Sequence, residues 1–337
     1  MPHHALSRSS FALALLIALQ LFVSASGAET GAETGAASGA VPAPVLRVYL
    51  LAGQSNMEGH GVVDLDDARD YNGGRGNLAK FVDAPANKPK WGDLRAADGA
   101  WAVRNDVFVS YLNEHGSQKA GPLSVGFAVY DDRHHFGPEL GIGRALGARF
   151  DEPVLLIKTA WGGKSLAKDF RPPSAGGEVG PCYTKMIAEY RAALAAIPKQ
   201  FPALAQHTPV LDGFIWFQGW NDGCDDKAAK EYESNLVHLI ADVRRELGSA
   251  ALPFVVGETG NMDNMDLRNG QRNGCAKAAV AANTRFVATR DFLRKPEDSP
   301  NPGHGHHWFG NGESYLLIGD ALGRAMGELV AAREQAR

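Results

Sequence analysis

Hydrophobic positions along this chain fall into two recurring patterns. Short apolar runs occupy residues 45–51, 154–159, 213–217, 253–257 and 285–289. They read as strands, the first two as strands covered on both faces. Between them the apolar spacing changes to three and four. Residues 136–150 carry Leu140, Ile142 and Leu146 behind Gly137-Pro138-Glu139, and residues 183–197 place Met186, Tyr190, Leu194 and Ile197 on one helical face. Residues 232–247 place Leu236, Leu239, Ile240, Val243 and Leu247 likewise, with Gly248 where a C-terminal cap belongs, and 314–330 form a closing helix. Strand and helix alternate, which predicts an α/β fold with a mainly parallel sheet, helices on both faces and right-handed crossovers. Residues 61–121 break the rhythm. They are rich in Asp, Asn, Gly and Pro, with Trp91 and Trp101 among them, and read as an elaborated, loop-rich insertion after the first strand; a strand-like run at 124–130 follows.

The chain has 337 residues, 45% hydrophobic and 21% charged, which excludes a disordered or fibrous class. Residues 1–28 combine Arg8, an apolar run over 11–23 and a Ser26-Gly27-Ala28 cleavage site, the pattern of a secretory signal peptide. That apolar run is shorter than a bilayer requires, so a stable membrane anchor is not expected, and no cysteine near the cleavage site supports a lipoprotein. Residues 29–44 repeat Gly-Ala-Glu-Thr and read as a flexible linker, leaving 45–335 as the folded domain of a secreted or periplasmic protein. Loss of residues 1–28 removes one arginine and no acid and takes the formal charge from −4 to −5, which offers no basic footprint for nucleic acid. Cys182, Cys224 and Cys275 allow one disulfide and a spare thiol, or three buried thiols. The pattern does not speak to oligomeric state.

Chemistry gathers where strands end. The first strand runs into Gly53-Gln54-Ser55-Asn56-Met57-Glu58-Gly59, where glycines on either side of a polar turn would lift the Ser55 hydroxyl onto the carboxyl edge of the sheet. The next ends in Trp161-Gly162-Gly163-Lys164-Ser165, and a third in Gln218-Gly219-Trp220-Asn221-Asp222. Acyl transfer by serine needs a base, donors for the oxyanion and an orienting acid. Ser55 is the candidate nucleophile. The N–H of Ser55, the N–H of Gly162 or Gly163 and the Asn221 amide are the candidate donors. His307, in Gly303-His304-Gly305-His306-His307-Trp308 ahead of the last helix, is the candidate base. A metal site in the histidine trio lacks an acid or cysteine at ligand spacing.

These four blocks, in this order, resemble those of the SGNH hydrolase superfamily. Gly53-Gln54-Ser55-Asn56-Met57 and Trp216-Phe217-Gln218-Gly219 resemble its sialate O-acetylesterase and acetyl xylan esterase branch, carbohydrate esterase family 6. The resemblance implies a three-layer flavodoxin-like fold and removal of O-acetyl groups from sugars without a cofactor or metal. It assigns Ser55 as nucleophile, Gly162 or Gly163 and Asn221 as oxyanion donors, and His307 as base, followed by Trp308 and Gly310-Asn311-Gly312 as the superfamily pattern has it. One position departs. The superfamily places an aspartate three residues before the histidine, and here that residue is His304. Either a serine–histidine dyad operates or another carboxylate serves, with Asp298 first and Glu297 and Glu258 behind it.

Around the motifs, Gln54, Glu58, His60, Trp161, Lys164, Asp169, Arg171, Gln218, Trp220 and Asp222 offer aromatic faces and polar groups suited to an acetylated carbohydrate. Two other functions compete with a carbohydrate acetylesterase acting through an acetyl-serine: a catalytically weak sugar-binding relative, and a lipase or thioesterase of the same superfamily. No long apolar lid supports the last.

Overall fold

The computed structural model describes residues 43–277 and 279–336. The signal-peptide reading and nearly all of the linker reading fall on residues 1–42 and lie outside the described residues. From β1 (Val45–Gly53) the chain passes through one helical turn, α1 (Ser55–Glu58), into β2 (Gly61–Val62), α2 (Leu78–Asp83) and α3 (Lys88–Trp91). The hairpin β3 (Arg104–Leu112) and β4 (Gln118–Leu123) follows, then β5 (His135–Phe136) and α4 (Glu139–Gly147). Regular alternation then sets in with β6 (Val154–Ala160), α5 (Pro181–Gln200), β7 (Thr208–Phe217), α6 (Trp220–Gly223) and α7 (Asp226–Glu246). It ends with β8 (Phe254–Gly257), α8 (Met265–Ala276), β9 (Thr284–Val287) and α9 (Gly312–Gln335).

Seven strands form one sheet in the order β4-β3-β6-β1-β7-β8-β9. All neighbours pair in parallel except β3 with β4. The first strand is therefore central, and successive strands are laid down first on one side of it and then on the other. Open α/β sheets bind ligands at such a reversal, which here lies at the carboxyl ends of β1, β6 and β7. Strand parity sorts the core into two layers. Leu46, Val48, Leu50 and Ala52 of β1 face the layer containing Tyr183, Met186, Leu236 and Leu239 of α5 and α7. Tyr49 and Leu51 face the layer containing Leu140 and Ile142 of α4 and Leu316, Ile318 and Leu322 of α9. Each odd or even set is buried on its own side, so a one-residue slip of β1 would exchange both layers.

Three local readings change. The insertion over 61–121 is not wholly loop: its last part supplies β3 and β4, the edge of the main sheet. The strand-like run at 124–130 contains no strand. Gly126 there has φ +103°, and the segment's carbonyls are satisfied by side chains instead of a ladder. Lys119 Nζ donates to the oxygens of Gly126, Ala128 and Tyr130, Asn113 Nδ2 to Val129, and Lys158 Nζ to Phe127. Helix α8 has no counterpart among the expected elements, because Gly270 and Gly274 interrupt its apolar face; they sit where Tyr232, Glu233 and Leu236 of α7 come close. All three cysteines are free thiols, Cys182 and Cys275 buried and Cys224 exposed.

Candidate active site

The chain leaves β1 through Gly53, where a Cβ would lie 2.1 Å from the Phe217 carbonyl oxygen of β7. Only glycine permits that approach. The peptide continues into α1 with Ser55 at its first position, where the Ser55 N–H has no helical acceptor. Beneath α1, buried Lys158 of β6 donates to the Glu58 carbonyl at 2.6 Å and to the Glu139 carboxylate at 2.8 Å, tying the turn to β6 and α4. Ser55 is only 8% exposed, so its hydroxyl is framed by the rim and not displayed on a surface.

Gln54 is the node of the site. Its Oε1 accepts from the backbone N–H of Gly219 at 3.1 Å and of Asn221 at 3.4 Å. Because a backbone N–H can only donate, the orientation of this amide is fixed, and Nε2 is left to donate to Asn221 Oδ1 at 2.9 Å. With its oxygen so held, the Asn221 side chain must present its NH2 elsewhere, and that nitrogen has no partner among the described residues. A second node sits below. Asp222, fully buried, accepts from Leu166 N and Ala167 N at 2.8 Å each and from Gln218 Nε2 at 2.6 Å. It thereby clamps the turn after β6 to the turn after β7. Burial, opposed by these three donors, raises its pKa to about 6. Gly163 adopts φ +66°, with no atom near where a Cβ would be, so it is glycine for its backbone conformation. The Gly162 N–H donates to Glu114 Oε2 at 3.3 Å, an exposed carboxylate from the β3–β4 turn. Burial and the neighbouring Glu114 raise Glu58 to about 8.

The histidine loop is anchored by Trp308, which is fully buried at φ +52°, followed by Phe309 at +56°. Two adjacent residues in the left-handed region that lack the freedom of glycine mark a backbone held by its surroundings. Asn56 supplies part of that hold: its Nδ2 donates to the His306 carbonyl at 3.0 Å while its Oδ1 accepts from the Tyr315 hydroxyl at 2.8 Å. Asn261 Nδ2 donates to the Gly305 and His306 carbonyls at 2.9 and 3.1 Å. The residue after Ser55 thus binds the residue before His307. The His307 ring stacks on His60 with centroids 3.7 Å apart and planes 8° from parallel. Burial first, then His306 and His304, lowers the His307 pKa to about 3, so the imidazole is neutral and able to accept a proton at ordinary pH. Among the described residues neither Ser55 Oγ nor a ring nitrogen of His307 forms a hydrogen bond; catalytic hydrogen bonds commonly tighten only when substrate binds.

The structure brings Ser55, Asn221 and the Gly162-Gly163 turn to one rim, linked to the loop that carries His307. It does not bring the acids there. Asp298 is exposed and its side chain forms no hydrogen bond among the described residues; its backbone alone is engaged, the N–H with the Lys295 carbonyl and the carbonyl with Asn311 Nδ2. Glu297 is likewise exposed, and Glu258 is occupied by Arg268 and the N–H groups of Thr289 and Arg290. The expected sugar-binding set also divides. Gln218 is 2% exposed with its amide committed to Gln54, Lys164, Asp222 and Tyr232, so it positions the rim and has no group to offer a sugar. Glu58 and Asp222 are buried in the same way, and Arg171 is spent on the carbonyls of Ala167, Ala175 and Gly176. Trp161 is 3% exposed and packs on Phe170. Partly exposed Trp220, with its ring 5.9 Å from His306, and Lys164 with Asp169 remain as groups that can meet a ligand. Asn261 is absent from the sequence-derived set, although it belongs to the polar turn after β8, on the same carboxyl edge as the other blocks. The rings of His304, His306 and His307 stand 4.1 to 6.5 Å apart, and among the described residues no three His, Cys, Asp or Glu side chains converge to hold a metal.

A mainly parallel seven-stranded sheet with these loops on its carboxyl rim is of the SGNH-like class of α/β folds. Residues 45–312 match the family described as carbohydrate esterase, sialic acid-specific acetylesterase, and the chain belongs to that family. It is accordingly a carbohydrate esterase, as the motif resemblance implied. No curated protein matches the chain. Among solved structures it is similar in fold to an Arabidopsis thaliana protein, with 15% identity over 84% of this chain and 98% of that one and a TM-score of 0.52. It is also similar to NanS, with 14% identity over 88% of this chain and all of that one and a TM-score of 0.51. A carbohydrate acetylesterase from Xanthomonas citri aligns over 85% of this chain and 56% of that one at 17% identity and a TM-score of 0.49.

Proposed function

We propose that this chain is an exported carbohydrate O-acetylesterase working through an acetyl-serine intermediate. Ser55 Oγ attacks the acetyl carbonyl carbon while His307 takes its proton. The carbonyl oxygen, now negative, is received by the N–H groups of Ser55 and the Gly162-Gly163 turn and by the Asn221 amide. Collapse breaks the bond to the sugar oxygen, to which His307 returns the proton. Water, deprotonated by the same imidazole, then releases acetate and restores Ser55. No cofactor enters these steps. The observation that supports the reading is the Gln54–Asn221 hydrogen bond, since it ties the Asn221 oxygen to the residue before Ser55 and leaves the Asn221 NH2 to donate elsewhere.

The test is acetate release from a panel of acetylated xylan, acetylated sialic acids and nitrophenyl acetate, with Ser55→Ala as control. Loss of the nucleophile should lower kcat by at least about 10³-fold. Turnover within tenfold of the unaltered protein refutes the mechanism. A second reading, a sugar-binding relative with feeble turnover, is favoured by one feature: among the described residues no carboxylate meets His307. It predicts retained sugar binding with no labelling of Ser55 by a fluorophosphonate.

A further inference from the structure

Among the described residues His307 has no hydrogen-bonded acid of the kind that normally fixes a catalytic imidazole, yet its ring is not loose. One face lies flat on His60. His60 is itself held, its Nδ1 hydrogen-bonded to the Tyr130 hydroxyl at 2.8 Å, with the two rings edge to face at 5.4 Å. Tyr130 in turn lies against His135, centroids 3.9 Å apart, and His135 Nδ1 meets both oxygens of Asp132 at 3.1 Å. A wall of rings therefore runs from a carboxylate to the base. The other ring nitrogen of His60, Nε2, is sealed from solvent and has no partner among the described residues. A buried histidine with an unpaired nitrogen is a poor choice for packing alone, because an apolar ring would fill the space without that penalty.

We propose that His60 is the positioning residue of the catalytic base: its ring, clamped by Tyr130, is the platform on which the His307 imidazole is held, in the orienting role that a carboxylate fills in a serine triad. The inference rests on the acetyl-serine mechanism above. A flat, fixed neighbour restricts rotation of the imidazole about its side-chain bonds, so a ring nitrogen once aligned with the Ser55 hydroxyl is kept there. Such a neighbour does not select the tautomer, so this arrangement supplies part of what an acid supplies.

The experiment is steady-state kinetics of the full chain on nitrophenyl acetate, with thermal unfolding recorded for every variant. His60→Ala should lower kcat about 10- to 100-fold, a fraction of what general-base catalysis contributes, with KM changed by less than about twofold. His60→Phe, which restores a flat face, should recover kcat to within about fivefold of the original. Tyr130→Phe, which leaves the His60 ring in place without its clamp, should fall between them. An unchanged kcat in folded His60→Ala, or a folded His60→Phe no better than His60→Ala, overturns the proposal. If His60→Ala does not fold, the Phe variants decide. Ser55→Ala separates the two levels: activity surviving that change refutes the mechanism itself, whereas its loss alongside a fully active His60→Ala refutes only the platform.

Discussion

Replacing Gln54 by glutamate exchanges one amide nitrogen for an oxygen, and the structure makes the consequence calculable. The carboxylate keeps acceptors for Gly219 N and Asn221 N and for Gln218 Nε2, so those three contacts survive. What disappears is the donor to Asn221 Oδ1 at 2.9 Å. Two oxygens cannot face each other at that distance, and the cheapest repair is rotation of the Asn221 amide, which turns its NH2 toward the new carboxylate and its oxygen toward the position of the oxyanion. Loss of one preorganised oxyanion donor costs about 3–4 kcal/mol in the transition state, or 10²–10³ in kcat, and an oxygen in its place adds repulsion. Gln54→Glu should therefore be at least as inactive as Asn221→Ala, although every group proposed to touch substrate is still present. Steady-state kinetics on nitrophenyl acetate for both variants and the double variant provide the assay. Because the first change acts through the second residue, the double variant should be no worse than the poorer single one, a coupling energy of about 3 kcal/mol. Activity should partly return as the pH is lowered, since the introduced carboxyl regains, once protonated, a hydrogen to donate. A Gln54→Glu protein within threefold of the original kcat, or effects that simply add, would refute the idea that Gln54 sets the direction of the Asn221 amide.

Two further outcomes follow from the histidine loop. His307 has its pKa depressed from the usual histidine value to about 3, so between roughly pH 3 and 6.5 the unfolded chain binds a proton that the folded chain does not. This contribution to stability is whole above pH 6.5 and is lost as pH falls toward 3, and denaturant midpoints should move accordingly. The same depression keeps the base neutral, so kcat/KM should show no fall near pH 6.5, and a limb there would count against the assignment. Asn56→Ala removes the bond to the His306 carbonyl and leaves the buried Tyr315 hydroxyl unpaired. It should cost about 1–3 kcal/mol in denaturant unfolding and reduce kcat more than it raises KM; a KM effect alone would mean that Asn56 binds substrate.

Much of this was legible in the sequence because the physics was local. Apolar runs of the right length named the strands β1, β6, β7, β8 and β9, and glycine turns after three of them marked the rim. Gly53 could be read as a position of close approach before any partner was known; that the partner is the Phe217 carbonyl could not. Strands β3 and β4 were hidden in a polar stretch: β4, at the edge, exposes alternate residues, and β3, between β4 and β6, opens on exposed Asn105 and Asp106 before it buries Val107, Val109 and Tyr111. The run at 124–130 misled because its apolar residues are buried by an irregular segment whose carbonyls are served by Lys119, Lys158 and Asn113, contacts that no local pattern announces. The same limit applies to the site. Ser55, Asn221 and His307 each announced themselves by motif, whereas the division of polar neighbours into those that hold the rim and those that face solvent depends on burial. Gln218 and Trp220 are two residues apart in the chain and lie on opposite sides of that division.

The Asp222 carboxylate has one more consequence. By receiving Leu166 N, Ala167 N and Gln218 Nε2 at once, it fastens the turns after β6 and β7 to a single point. The oxyanion pocket proposed above is then no adjustable pair of fingers but one rigid casting, finished when the chain folds and not when the ester arrives. Warming such a protein should leave its turnover intact until the fold itself gives way, so that inactivation and melting trace one curve.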